Sequence, residues 1–421
     1  MNEKLLQYIW QFRYYNQSNL SLETGEKLEV IFPGHPNSNQ GPDFLDAKIR
    51  IDQTTWVGHI ELHLKSSDWY KHVHDQDRNY HNVILHVVME NDLDPQDERI
   101  PMLTLRHRIS RILRDKCEEW MQSQAFIPCA ENICQVSELV WATWRERLVM
   151  ERMIRKSEEI HQTLKENSFH WEEVFWWRIA GNFGIRVNGM AFTAIARSIK
   201  VSLLARHKSQ VNQLEALLIG QAGLLEKKFT DAYPNMLQKE FQFLRNKYRL
   251  EPIFQAIYFL RMRPGNFPTI RLSQLAALIH RSSHLFSIVR ETRNLEELKR
   301  LLNVNANEYW NRHYRFDEES AFLIKSLGDQ MIDNLLINTI VPVLFSYGWI
   351  HHELPIQTRA LEWLRQIPYE RNSITAQWKS TGITMPDAFH SQSLLELKAR
   401  YCDQKKCLGC AIGNELLKKL I

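Results

Sequence analysis

The chain has 421 residues, of which 44% are hydrophobic and 11% aromatic, so it can form two or three domains with a substantial core. Its formal net charge of +4 is too small for this length to indicate nucleic-acid binding by itself. Every apolar run is interrupted early by a charged or amide residue, and residues 1–17 lack the apolar stretch of a signal peptide. These features argue against secretion and against a membrane span. We predict a cytoplasmic protein without membrane association.

Hydrophobic periodicity in the first 110 residues predicts a small mixed α/β domain. Residues 3–16 space their apolar side chains as an amphipathic helix does, and residues 28–32 form a short apolar run. Residues 47–52 and 56–65 alternate apolar and polar side chains, which predicts half-buried strands. A polar segment with helical character leads to residues 82–90, whose Val, Ile and Leu content indicates a strand buried on both faces. The predicted order is helix, strand, strand, strand, helix, strand.

Beyond about residue 110 the sequence shows almost only helical periodicity, and proline-containing turns divide it into several helices. We therefore predict an α+β protein with two domains. The first spans residues 1–110. The second spans residues 111–421, is helical and ends in a cysteine cluster at 402–410.

The most informative polar residues lie in the N-terminal domain. Asp43 follows a Gly-Pro turn just before a predicted strand, and Glu61, His63 and Lys65 alternate along one face of the next strand. All four side chains can therefore reach the same place. Carboxylate oxygens are the ligands that Mg²⁺ prefers, and a neighbouring base or cation can orient an attacking water.

This arrangement resembles the PD-(D/E)xK nuclease superfamily, in which PD enters the second strand of an α-β-β-β-α-β core and (D/E)xK lies on the third. Here Pro42-Asp43 is followed, 18 residues after the Asp, by Glu61-Leu62-His63. The resemblance implies a restriction-endonuclease-like domain in which Asp43 and Glu61 hold Mg²⁺ or Mn²⁺. The departure is His63 where the family has Lys, so either His63 or Lys65 would take that role.

The resemblance implies a metal-dependent nuclease or phosphodiesterase that acts on DNA or RNA. The alternative is a non-catalytic nucleic-acid-binding or scaffold protein that keeps the fold, which the missing family lysine allows. A further similarity is Gln76 and Tyr80, spaced as the QxxxY motif of the RecB-like branch. At positions i and i+4 of a helix these two side chains would share a face and could contact nucleic acid or brace the site.

Two other interpretations of the same residues remain open. Residues 56–65 could form an edge strand with a solvated polar face, and Asp43 could cap a turn. The segment HVHDQD, residues 72–77, is similar to the HxHxDH zinc motif of metallo-β-lactamase-like hydrolases, with Asp77 in place of the last histidine. His86, within the apolar run, is interpreted as a core histidine.

Arginines in the helical region give a candidate phosphate-binding segment. Arg261, Arg263 and Arg271 flank the turn RPGNFP, and arginine forks bind phosphate oxygens in pairs. The alternative interpretation is a rigid turn between helices whose arginines are paired with acids elsewhere.

The C-terminal cysteines have the spacing C-x4-C-x2-C, through Cys402, Cys407 and Cys410. Three thiolates need a fourth ligand, for which Cys129 is the best candidate and Cys134 or His390 the alternatives. Structural zinc, an iron–sulfur cluster as in some RecB-like nucleases, and unliganded thiols all remain possible. Whichever holds, we expect the C-terminus to fold back and tie the helical region together.

The whole chain also resembles an uncharacterised bacterial family of unknown function. The resemblance is carried by NSNQGPDF, IELHLKSSDWYKHVHDQDRNYHNVILHVV, RPGNFPTIRLSQLA and YCDQKKCLGCAIG. It is longer than the nuclease resemblance and implies no activity.

Overall fold

The structure is a computed structural model that describes residues 2–37, 39–93, 100–260, 262–282 and 284–420. The protein is a mixed α+β protein that divides into two compact units. The first comprises residues 1–144, 380–383 and 396–421, and the second comprises residues 145–379 and 384–395. This division differs from the boundary predicted near residue 110. The cysteine-bearing C-terminal segment belongs to the first unit, not to the helical region.

The first unit is built around one mixed sheet with helices before and after it. Its strands are β1 (Leu28–Phe32), β2 (His35–Pro36), β3 (Phe44–Ile51), β4 (Thr54–Lys65), β5 (Val83–Glu90) and β6 (Met102–Thr104). The helices of residues 1–122 are α1 (Glu3–Gln11), α2 (Asp68–Lys71) and α3 (Arg111–Gln122), with a 3₁₀ turn at Arg78–Tyr80.

The strands follow the order β1-β3-β4-β5-β6, and β2 pairs with β3. Strand β3 is antiparallel to β1 and β4, whereas β5 is parallel to both β4 and β6. All residues of β5 except its last, Glu90, are buried, as its continuous apolar sequence predicts. The sheet thus places the polar residues of β4 beside the central strand β5.

A glycine turn sets the position of Asp43 at the start of β3. Gly41 adopts a φ of +110°, a conformation that costs little only without a side chain. The Asn37 side-chain amide donates to the Pro42 carbonyl oxygen over 3.0 Å, and the Asn37 N–H donates to the Asp43 carbonyl oxygen over 2.8 Å. The turn therefore fixes the backbone of Asp43 before the strand begins.

The second unit is mainly helical, as predicted for this part of the chain. Its helices are α4 (Glu138–Glu166, which begins in the first unit), α5 (Trp171–Phe183), α6 (Ile185–Ser198), α7 (Val201–Arg206), α8 (Val211–Gln221), α9 (Ala232–Tyr248), α10 (Pro268–Arg281), α11 (Leu285–Glu291), α12 (Leu295–Leu302), α13 (Asp329–Leu335), α14 (Val341–Ile350), α15 (Leu354–Gln366), α16 (Ser373–Ser380) and α17 (Ala388–Leu397). A short hairpin of β7 (His313–Arg315) and β8 (Glu318–Glu319) interrupts the helices. Helix α18 (Ala411–Lys418), near the end of the chain, belongs to the first unit.

One helical stretch, Asp329–Ile350, is long and apolar enough to cross a membrane by length and composition. However, 78% of its most apolar window is buried inside the molecule. Burial of this kind is typical of the core helix of a soluble protein. The cytoplasmic location stays a prediction.

Glu215, a buried acid in α8, makes the stability of the second unit depend on pH. Trp310 Nε1 donates to its carboxylate, and burial raises the pKa of Glu215 from 4.5 to about 7. The folded state therefore keeps a proton that the unfolded state releases, so the free energy of unfolding falls as pH rises from about 4.5 to 7.

We expect Glu215→Gln to remove this dependence and to raise the free energy of unfolding above pH 7 by roughly 2 to 3 kcal/mol. Urea unfolding at pH 5 and pH 8 measures the effect, with exposed Glu226→Gln as the control. Equal pH dependence in Glu215→Gln and the wild type would contradict this explanation.

Candidate functional site

Asp43 and Glu61 lie together where β3 and β4 pair. The Asp43 N–H donates to Glu61 Oε2 over 2.9 Å, and the Leu62 N–H donates to Asp43 Oδ2 over 3.1 Å. Gln7 of α1 donates from Nε2 to Asp43 Oδ1 over 2.7 Å. The two carboxylates, predicted from strand parity to approach each other, are thus fixed by the backbone of the sheet and by the first helix.

The electrostatic environment of this pair is unfavourable to two negative charges. Burial raises the pKa of Asp43 above its usual range, and burial followed by the Asp43 charge raises the pKa of Glu61. Glu3 in the first turn of α1 adds a smaller contribution of the same sign to both pKa values. Like charges in a partly dehydrated site repel unless a proton or a cation neutralises them. The pair is therefore suited to a bound cation.

Four histidines lie near Glu61: His63 and His74 lie beside its carboxylate, and His72 and His86 contact His63. Glu61 Oε1 lies 3.6 Å from His63 Nε2 and 3.4 Å from His74 Nε2. His63 Nε2 lies 3.2 Å from His72 Nδ1, and His63 Nδ1 lies 2.9 Å from His86 Nε2. Burial and, to a smaller extent, the neighbouring imidazoles lower the pKa of His63 to about 3 and that of His86 to about 4. Both rings are therefore neutral at physiological pH, with a lone pair on one nitrogen.

The segment that carries Gln76 and Tyr80 is not the helix that the QxxxY spacing predicts. After α2 the chain runs through turns, Val73 takes a left-handed φ of 59°, and Asp77 caps the 3₁₀ turn by accepting from the Asn79 N–H. Gln76 is exposed, whereas the Tyr80 ring stacks on His74 with centroids 3.9 Å apart. The prediction that Gln76 and Tyr80 share a helix face is therefore wrong, and of the two only Tyr80 contacts a histidine.

Lys65 is exposed at the end of β4, and its charge lies near Asp92. Its position favours His63 over Lys65 as the residue beside Glu61. Because His63 is neutral, it cannot supply the positive charge of the lysine that the nuclease family has at this place.

Asp43 also lines a cavity of about 840 Å³ in the first unit. Helix α1 contributes one wall, and the segment from Tyr401 to Gly409 contributes another. Three lysines are among the lining residues, Lys4, Lys405 and Lys406. Ammonium groups near a carboxylate pair are suited to phosphate oxygens.

The arginines predicted to bind phosphate occupy different environments in the second unit. Arg261 lies outside the described residues. Arg263 is exposed, whereas Arg271 is only 6% exposed and donates to Gln274 Oε1 over 2.9 Å and to Asn266 Oδ1. Arg271 therefore braces the RPGNFP turn, but through amide oxygens of its own segment and not through the distant acids that the rigid-turn interpretation expected.

Because Arg271 is buried and Arg263 is exposed, we predict a large loss of stability for one alanine variant and almost none for the other. Arg271→Ala removes the donor of the buried Gln274 amide oxygen and of the half-buried Asn266 oxygen, so we expect a loss of about 2 to 4 kcal/mol in the free energy of unfolding. Arg263→Ala should change it by less than about 0.5 kcal/mol. Chemical unfolding measures both. Equal stability of the two variants would show that Arg271 does not brace the turn.

The cysteines predicted to share a metal lie in one neighbourhood of the first unit. Burial raises the pKa of Cys402, and the nearby Cys410, Cys129 and Cys407 raise it further. All four are buried, and a fifth buried thiol, Cys117, lies near Cys407. Cys134 and His390, the alternative candidates for the fourth ligand, have other hydrogen-bonding partners.

Exposed Cys134 donates from Sγ to the Thr381 carbonyl oxygen over 3.5 Å, and His390 Nδ1 lies 2.7 Å from Asp387 Oδ1 in the second unit. Cys129 therefore remains the candidate fourth ligand.

The sequence pointed to His72 and His74 only through the alternative zinc motif HVHDQD, and to His86 only as a core histidine. The density of histidines in residues 72–81 was a usable signal, but a turn has no periodicity from which to infer a direction for each ring. His86 is a buried histidine with a hydrogen-bonding partner, as interpreted, and that partner is His63 of the site.

The structure defines an α+β protein whose first unit holds a partly buried cluster of two carboxylates and four imidazoles. The family model described as "Protein of unknown function (DUF2851)" matches residues 3–373, and the chain belongs to this family. The predicted whole-chain resemblance to a family of unknown function is therefore confirmed. No curated protein and no solved structure matches the chain significantly.

Proposed function

We propose that this protein is a metal-dependent phosphodiesterase of the nuclease type, which acts on DNA or RNA through Asp43 and Glu61. The carrying observation is the pair of carboxylates where β3 and β4 pair: Glu61 accepts from the Asp43 N–H, Asp43 accepts from the Leu62 N–H, and burial raises both pKa values. The order helix, strand, strand, strand, helix, strand, formed by α1, β1, β3, β4, α2 and β5 with the two-residue β2 as an addition, supports a relation to the PD-(D/E)xK superfamily. Asp43 lies just before β3 and Glu61 lies on β4.

The donor set suits Mg²⁺ or Mn²⁺, because Asp43 and Glu61 both offer carboxylate oxygens and Asp43 borders space for water and a substrate phosphate. When bound, such an ion neutralises charge on the phosphate and lowers the pKa of its water. Gln7 and the Leu62 N–H hold Asp43 in a single orientation. Neutral His63, beside Glu61 Oε1, can orient a water by hydrogen bonding.

Lysines on the cavity wall support nucleic acid as the substrate class. Lys4 and Lys406 are exposed, so their ammonium groups can meet a phosphate backbone that enters toward Asp43, whereas the ammonium of half-buried Lys405 donates to the Ser123 carbonyl oxygen. Such contacts would bind nucleic acid of any base sequence, because phosphate contacts carry no base specificity.

The test is a cleavage assay on single- and double-stranded DNA and RNA, with Mg²⁺, Mn²⁺ or excess EDTA. We expect cleavage of at least one substrate with Mn²⁺ and none with EDTA. Cleavage that is equal with and without EDTA would contradict metal dependence, and intact substrates under all metal conditions would contradict nuclease activity.

A second candidate is a protein that binds nucleic acid without cleaving it. The observation that favours it is the absence of a lysine charge beside Glu61: His63 is neutral and Lys65 lies near Asp92. This candidate predicts salt-dependent binding, reduced by Lys4→Ala and Lys406→Ala, with the substrate recovered intact.

A further inference from the structure

Two of the histidines near Glu61 have no role in the proposed function. The ligating nitrogens of His63, His72 and His74 all lie within 4.8 Å of one another. Within the described part of the chain, this is the one group of at least three His, Cys, Asp or Glu side chains arranged so closely. We propose that these three imidazoles, which lie beside Glu61, bind a divalent transition-metal ion such as Zn²⁺.

The distances between the donor atoms support a common ion. His63 Nε2 lies 3.2 Å from His72 Nδ1 and 3.6 Å from Glu61 Oε1, and Glu61 Oε1 lies 3.4 Å from His74 Nε2. Ligands bound tetrahedrally at about 2.1 Å stand about 3.4 Å apart. Imidazole nitrogens prefer zinc, copper, iron and nickel over magnesium, so this donor set differs in kind from that of Asp43.

The surrounding residues orient the rings as they do around metal-bound histidines. His63 Nδ1 contacts His86 Nε2 at 2.9 Å, which leaves His63 Nε2 to face the other donors. The His74 ring stacks on Tyr80 at 3.9 Å and meets Trp69 edge-on at 5.4 Å. Hydrogen bonds and packing of this type fix the tautomer and the direction of a ligating ring.

An ion at this position also accounts for His63 in place of the family lysine. It would place positive charge beside Glu61, where neutral His63 supplies none. This consequence rests on the proposed function, whereas the binding of the ion does not. Metal binding and cleavage can therefore be scored separately.

The test is titration of the full-length, EDTA-treated protein with Co²⁺, followed by visible absorption. Nitrogen and oxygen ligands give weak d–d bands, whereas thiolates add intense near-ultraviolet charge transfer, so the cysteines are distinguished. We expect His72→Ala and His74→Ala each to weaken Co²⁺ binding at least about tenfold, as measured from the bands of the nitrogen-ligated ion. Exposed His81→Ala is the matched control and should bind as the wild type does.

Wild-type affinity in both His72→Ala and His74→Ala, or a wild type without nitrogen-ligated bands, would overturn the proposal. A protein that binds Co²⁺ at the imidazoles but cleaves no nucleic acid supports the metal site and contradicts the proposed nuclease. A protein that cleaves with Mn²⁺ but gives no imidazole-bound Co²⁺ contradicts the metal site alone.

Discussion

Asp43→Asn and Glu61→Gln should each reduce Mn²⁺-dependent cleavage at least about a hundredfold, because each removes a charged metal ligand and with it stabilisation of the transition-state charge. Both changes preserve side-chain shape. The amide oxygens can still accept from the Leu62 and Asp43 backbone N–H groups. The fold should therefore persist, and removal of a buried charge should even raise the stability of the metal-free protein.

Nucleic-acid affinity should change much less than cleavage in these two variants, since phosphate contacts would come from separate lysines. Exposed Asp46→Asn is the control and should cleave as the wild type does. Circular dichroism checks the fold, and single-turnover rates measure the effect. Wild-type cleavage by an Asp43→Asn, Glu61→Gln double variant would exclude this site.

The second large effect is expected at the C-terminal cysteines. We expect purified protein to carry zinc or iron, and Cys402→Ser or Cys410→Ser to lose it, because buried thiols with raised pKa values become thiolates only beside a cation. Loss of a structural metal should lower the free energy of unfolding by on the order of 4 kcal/mol or more. Elemental analysis and thermal unfolding measure both changes.

Elemental analysis and absorption distinguish the two metals. Zinc–sulfur bonds of about 2.3 Å hold tetrahedral ligands about 3.8 Å apart, and the bound ion is colourless. Among the described residues, no three of the cysteine sulfurs lie within 4.8 Å of one another. A four-iron cluster holds its cysteine sulfurs farther apart than one zinc ion does, and brown protein with broad visible absorption after anaerobic purification would identify it.

Exposed Cys134→Ser is the control for the cysteine variants and should keep both metal and stability. A wild-type protein with neither zinc nor iron, together with an unchanged melting temperature in Cys402→Ser, would show that the thiols are unliganded.

The sheet could be predicted where the sequence pattern is long enough. The alternation in β4 and the continuous apolar run of β5 have the lengths of ordinary strands, and the run of β5 correctly indicates burial on both faces. The half-buried strand predicted for residues 56–65 is wrong at residues 60–63, which are all buried, because His72 and His74 lie against His63 and Glu61. Strand β6 and the β7–β8 hairpin were missed because two or three residues carry no measurable period.

The unit boundary could not be predicted because it depends on contacts between distant residues. Tyr14 Oη donates to Asn414 Oδ1 over 2.6 Å, and the Ser137 N–H donates to Glu415 Oε1 over 3.1 Å. Such contacts join the C-terminal segment to the N-terminal unit, whereas sequence periodicity describes only local structure.

For the candidate site, strand parity was enough to bring Asp43, Glu61 and His63 together. His72 and His74 required the turn that follows α2, whose path depends on the left-handed Val73 and the cap at Asp77. Neither feature has a sequence signal that distinguishes it from a continuing helix.

The most direct test of the central claim, that Asp43 and Glu61 hold a divalent cation, is a Mn²⁺ titration followed by electron paramagnetic resonance. The six-line signal of free Mn²⁺ disappears when the ion is bound to protein. We predict stoichiometric loss of this signal with the wild type and with His72→Ala, and a free-ion signal with Asp43→Asn, Glu61→Gln. Equal Mn²⁺ binding by the wild type and the double variant would contradict the claim.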